Sequence, residues 1–269
     1  DVHIVNAGGT FSVNGLLEAS PNDQDKGTDP RYRSLDGNCP AIVPEDEYRR
    51  QVEEIASSAA LADCPDNVER ISYAVCLWAF ARIREAGGLG IFAHPYWIAD
   101  MWHIPEAFTR YMMEKHPFDA FEVLGGENYY EQNGFQTALY YDEYRAGRIH
   151  PIVGSTDSHG STEHNRNRDI CSTIVFAKEN ERCAIIDAVK HRYSVAVDTI
   201  SREYRLVGEF RLQKYASFLM ENYFPLHDRI AAMDGELMRE YYLGEAAAEE
   251  LDVMRKKAIA LTQKYIRTK

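Results

Sequence analysis

Over the first 200 residues, stretches with an apolar residue every three or four positions alternate with short, unbroken apolar runs. In 68–85, Ile71, Ala74, Val75, Trp78, Ala79 and Ile83 recur at helical spacing, between Asp66-Asn67, which opens a helix, and Gly87-Gly88, which closes one. The run that follows, 88–93, is apolar throughout and predicts a strand buried on both faces. The same reasoning predicts helices over 45–61, 105–115, 129–146 and 181–192, and strands over 2–6, 118–124, 149–153 and 171–176. Helices and strands in alternation predict an α/β fold built on a mostly parallel sheet, where functional groups gather at the carboxyl ends of the strands.

Two segments break the pattern. Residues 7–45 are rich in Gly, Pro, Asn, Asp and Ser without a sustained period, and read as a long loop or insertion. Beyond about residue 200 the chain turns to long amphipathic stretches, 204–223, 227–242 and 245–269, parted by Phe224-Pro225 and Leu243-Gly244. Acid-before-base ordering over 246–257 favours helical i,i+4 pairing. The expected organisation is a core over 1–200 and a helical C-terminal appendage over 201–269, packed as a bundle or serving as a partner surface.

The candidate chemistry sits at two predicted strand ends. The run 89–93 leads into His94-Pro95, and the run 149–153 leads into Gly154-Ser-Thr-Asp157-Ser-His159-Gly160. Residues i and i+2 of an extended segment point the same way, so Asp157 and His159 can enter one cleft together. The alternative for that pair is an Asp-stabilised turn; for His94 it is a satisfied histidine ahead of a strand-ending proline. His3, near the start of the chain, is a further candidate, with an incidental histidine as its alternative.

Ala93-His94-Pro95 followed by the Gly-x-x-Asp-x-His-Gly of residues 154–160 resembles the PHP (polymerase and histidinol phosphatase) domain family. The opening Val2-His3-Ile4-Val5 is similar to that family's His-Ile strand, and Phe121-Glu122-Val123 to its Glu-Val strand. The resemblance implies a distorted (β/α)7 barrel with up to three divalent ions, Zn, Mn or Fe, at its mouth, hydrolysing a phosphoester through a metal-activated hydroxide. It further implies His3 and His94 as ligands of one ion, Asp157 of a second and His159 of a third. Glu122 is left out of this set, because a carboxylate there could equally pair with a nearby cation. Family members begin with a His-x-His strand and carry a bridging Glu before the strand matching His3; neither stands in this sequence. The expectation is a barrel missing its first strands, part of a longer protein, with metal binding and turnover impaired in these 269 residues.

Charge and composition narrow the ligand. A formal net charge of −12 argues against general nucleic-acid binding, so the expected partner is a small phosphorylated substrate, with Arg166 and Arg168 as candidate phosphate contacts. The aromatic segment 96–103 either stacks a base or sugar ring or lines the core. Five cysteines without a C-x-x-C pair fit a reducing, cytoplasmic compartment, and no run approaches the roughly 20 apolar residues a membrane span needs. No Gly-x-Ser-x-Gly or glycine-rich phosphate loop is present, so a covalent mechanism has little support. Two alternatives are a metal-dependent amidohydrolase on a related barrel and a non-catalytic PHP-like structural or binding module.

Overall fold

The structure, a computed structural model, describes residues 2–17, 40–97, 104–125, 130–157, 171–199 and 205–266. It divides into two compact units, Asp1–Gly208 and Glu209–Lys269.

The first unit is built on a four-stranded sheet in the order β1-β2-β3-β4, comprising His3–Ala7, Leu89–Ala93, Ala120–Leu124 and Ile152–Gly154. Every residue of β2, β3 and β4 is buried, as the unbroken apolar runs require. These three strands run parallel, joined by the crossover helices α3 (Glu106–Lys115) and α4 (Tyr130–Arg145). β1 departs from the expected direction. It lies at the sheet edge, antiparallel to β2, with His3 opposite Ala93 and Ala7 opposite Leu89. That register places His3 beside the carboxyl end of β2.

Helices α1 (Glu45–Ala56) and α2 (Arg70–Glu85) precede β2. Glu69 caps α2, its carboxylate accepting from the backbone N–H groups of Ile71, at 3.1 Å, and Ser72. Tyr73, Phe80 and Ile83 of α2, Phe92 of β2, Phe121 of β3, and Met112 and Met113 of α3 are all fully buried and form the centre of one hydrophobic core. Deleting any of these large side chains would cost about 2–5 kcal/mol. In the long segment over 7–45 the described ends carry a single 3-10 turn, Asn14–Leu16, and a lone bridge between Leu17 and Val43.

The strands after β4 differ from expectation. β5 (Cys171–Val175), β6 (Ser194–Asp198) and β7 (Arg205–Gly208) make a separate three-stranded antiparallel sheet, with α5 (Arg182–Lys190) between β5 and β6. β7 occupies part of a stretch expected to be helical. The described residues therefore form two sheets, and a closed seven-stranded barrel is not what they show. Side chains link the sheets where no ladder does. Thr173 Oγ1 accepts from Gly154 N at 2.9 Å and donates to Gly154 O at 2.6 Å, while Ser194 Oγ donates to Ile152 O at 2.7 Å. A Cβ on Gly154 would lie 2.4 Å from Ser172 O, so the close approach of β4 to β5 requires glycine there.

The second unit holds three helices, α6 (Phe210–Asn222), α7 (Phe224–Leu243) and α8 (Ala248–Tyr265). Pro225 stands in the first turn of α7, and Gly244, at φ 77°, ends it in the left-handed conformation. Tyr223 and Thr262 share a hydroxyl hydrogen bond of 3.0 Å within this unit. Among the described residues no helix is long and apolar enough to cross a membrane.

Candidate functional site

The antiparallel register of β1 on β2 sets His3 next to the residue that leaves β2, His94, and the two imidazoles meet edge to face. His3 Nδ1 and His94 Nε2 are 2.7 Å apart, with ring centroids at 4.9 Å and planes at 87°. The other side of His94 is fixed by Glu122 from the neighbouring strand β3. The Glu122 Oε2 atom accepts from His94 Nδ1 at 2.6 Å and from the His94 backbone N–H at 2.7 Å. Ser155, just past β4, donates its hydroxyl to Glu122 Oε1. Four adjacent strands thus contribute a chain of contacts running His3, His94, Glu122, Ser155.

Glu122 is 1% exposed and His94 7%, so neither charge is screened by bulk water. Room for the carboxylate comes from Gly125, where a Cβ would lie 2.5 Å from Glu122 Cδ. The ladder between β3 and β4 shifts register between Glu122 and Leu124, an irregularity of the sort that re-aims side chains beside functional sites. From α4, Gln136 Nε2 donates to Glu122 O at 3.0 Å, and Asn133 Oδ1 accepts from Gly125 N at 2.8 Å. The buried amides of α4 hold the end of β3 in place.

Two residues at the strand ends have left-handed backbones unusual outside glycine, His94 at φ 24° and Asp157 at φ 49°. Such conformations cost about 1–3 kcal/mol each and persist where surrounding contacts dictate them, often at working sites. Asp157 is half-buried and near enough to act electrostatically on both histidines.

The two imidazoles are driven apart in proton affinity. Burial, the largest influence on His94, disfavours its charged ring, but the hydrogen bond and charge of Glu122, with Asp157 adding, outweigh it and raise the pKa above the ordinary 6.5. For His3, burial and then the neighbouring His94 ring outweigh the pull of Asp157 and Glu122, and its pKa falls below 6.5. The fold therefore favours a proton on His94 over one on His3.

Trp97 completes this corner. Its backbone N–H donates to His94 O at 2.9 Å, closing a turn through Pro95, and its indole lies 5.4 Å from the His3 ring and 6.1 Å from that of His94.

Of the residues the sequence nominated, His3 and His94 are brought into contact and Asp157 stands within electrostatic reach. His159, Arg166 and Arg168 lie outside the described residues. Glu122, left out of the ligand set as a carboxylate that could pair with any cation, instead holds His94. A signal existed: a glutamate inside the otherwise apolar strand Ala120-Phe-Glu-Val-Leu124 must find a specific partner to be buried. Among the described residues no group of three or more His, Cys, Asp or Glu side chains is arranged to hold a metal ion. Cys64, Cys76 and Cys171 are buried and free, with the thiols of Cys76 and Cys171 pushed up to about 12 by burial, so neither is a nucleophile near neutral pH.

No family model matches the chain, and no curated protein does. One solved structure, that of a two-domain protein from Bacteroides vulgatus containing a predicted PHP-like metal-dependent phosphoesterase, is similar at 20% identity and a TM-score of 0.35. The match covers 51% of this chain and 38% of that one. Likeness at this level assigns neither a fold nor a family.

Proposed function

We propose that the chain is the core of a metal-dependent phosphoesterase that hydrolyses a small phosphate ester. The observation that carries the reading is the pair of imidazole nitrogens, His3 Nδ1 and His94 Nε2, turned to each other at 2.7 Å with the Glu122 carboxylate behind His94. Two imidazoles, once both are neutral, with a carboxylate behind one of them, suit a borderline divalent cation such as Zn, Mn or Fe. A carboxylate on the far nitrogen of a ligating histidine is the usual way such a ring is oriented and its tautomer fixed.

The donor types fit a metal; the donor count among the described residues is short of a full set. His3 and His94 are the donors already turned to one another; Asp157, not arranged with them as a ligand set, and His159, outside the described residues, would complete the shell. When bound, a divalent ion there supplies acidification of a water and neutralisation of charge on the phosphoryl oxygens. Glu122 keeps the Nδ1 proton of His94 and so leaves Nε2 as the lone pair facing the site. Asp157 offsets positive charge gathered at the two rings. With the ligand number limited, turnover by these 269 residues is expected to be slow.

The test is hydrolysis of bis(4-nitrophenyl) phosphate and 4-nitrophenyl phosphate by protein supplied with Mn, Zn or Fe(II), against 4-nitroacetanilide as the amide. Phosphoester cleavage that needs added metal and falls at least tenfold in His94→Ala supports the reading. Cleavage of the anilide alone would move the protein to the amidohydrolases, and metal binding without turnover of any of the three substrates would leave a binding module.

A further inference from the structure

We infer that Trp97 selects the organic half of the ester, making flat aromatic phosphomonoesters the preferred substrate class; this rests on the phosphoesterase reading above. The charged side chains acting on His94 are Glu122 and Asp157, both acidic. Among the described residues, the Trp97 indole is a large apolar surface that reaches the site. It lies 5.4 Å from the ring of His3 with the two planes tilted by 37°, and it remains half-buried although the fully buried core is close by in the fold.

Its mounting is rigid. The turn His94-Pro95-Tyr96-Trp97 is closed by the 2.9 Å bond from Trp97 N–H to His94 O, with the proline at the position where its fixed φ favours the turn. Tyr96, next along, is anchored through its hydroxyl to Glu106 at 2.8 Å. An aromatic face held this way binds a planar ring without having to be ordered first. A saturated ring of the same size gains the apolar contact but not the ring-on-ring geometry, a difference of about two- to tenfold in affinity.

The experiment compares phenyl, cyclohexyl and ethyl phosphate, titrated into the full chain with diamagnetic Zn and read as dissociation constants by NMR, with circular dichroism on every variant. The expected result is phenyl phosphate bound about two- to tenfold more tightly than cyclohexyl phosphate, a preference retained in Trp97→Phe and lost in Trp97→Leu, with ethyl phosphate unchanged throughout. A Trp97 indole N–H resonance that shifts with phenyl but not ethyl phosphate is expected in the unmodified chain, and its failure to move would overturn the inference without recourse to any variant. Equal affinities for phenyl and cyclohexyl phosphate, or a preference that survives in Trp97→Leu, would also overturn it while ethyl phosphate binding left the phosphoesterase reading standing. Binding of none of the three would remove both.

Discussion

Replacing Glu122 separates its charge from its hydrogen bonds. In Glu122→Gln the amide oxygen can still accept both His94 protons, now at 2.6 and 2.7 Å from the carboxylate, while the amide NH2 turns to the Ser155 hydroxyl. Bonds to a charged acceptor are worth about 1.5–3 kcal/mol and neutral ones about 0.5–1.5, so the loss should be about 1–2 kcal/mol. Glu122→Ala instead strands two buried N–H donors and deletes one partner of a buried pair, which costs about 3–5 kcal/mol. The pH dependence has a definite sign. Because the fold raises the His94 pKa, its contribution is fully present below 6.5 and is lost as pH rises through the raised value, so the gap between wild type and Glu122→Gln should be wider at pH 5.5 than at pH 9. Urea unfolding followed by circular dichroism at the two pH values measures both. If Gln and Ala cost the same, or either variant matches wild type within 0.5 kcal/mol, roughly the additivity error of such comparisons, Glu122 does not hold His94 as described.

At the opposite ends of the strands, the rings of His116 and His150 meet at 4.6 Å; burial first and the neighbouring His150 next bring His116 down to about 4, and burial lowers His150 too. Their depressed values mean that stability present above 6.5 is lost as pH falls toward 4, and because His116 is exposed the pair's share is discounted to about 1–2 kcal/mol. His116→Asn, compatible with the left-handed φ of 49°, should shrink the drop in urea-unfolding stability between pH 7.5 and 4.5, and an unchanged drop would contradict the assignment. Gly125→Ala would drive a methyl to 2.5 Å from Glu122 Cδ, pushing the carboxylate off His94. It is expected to cost about 1–3 kcal/mol and to weaken Zn binding about tenfold, whereas Zn affinity equal to wild type would show that the carboxylate does not orient the ring.

The strands most legible in the sequence were β2 and β3, because burial on both faces leaves an unbroken apolar run, and the helices α2, because its apolar positions repeat, and α4, because Gly147 closes it. Strand direction was not legible: period tells which face is buried, not which way the neighbour runs, so β1 and β5 were expected as strands but their antiparallel pairing was not, and β6 and β7 were missed. β7 is only four residues, Arg-Leu-Val-Gly, joined in sequence to the amphipathic α6, and its local pattern merged with the helix. His94 could be placed at a strand end from sequence alone, since a proline follows the apolar run. Its contact with His3 depends on a register between residues 91 positions apart, and Glu122 on a third strand, neither of which any local pattern encodes.

The central claim is that His3 and His94 are a cation-binding pair set by Glu122. Titration of the 269-residue chain with Co2+, read by visible absorption, and with diamagnetic Zn2+, read by the side-chain 15N resonances of the histidines, tests it most directly. Saturable binding that shifts His3 Nδ1 and His94 Nε2, and that weakens at least tenfold in His3→Ala and in His94→Ala, is the expected result. Co2+ bound equally well by both variants, or those two nitrogens unmoved at saturation, would contradict it.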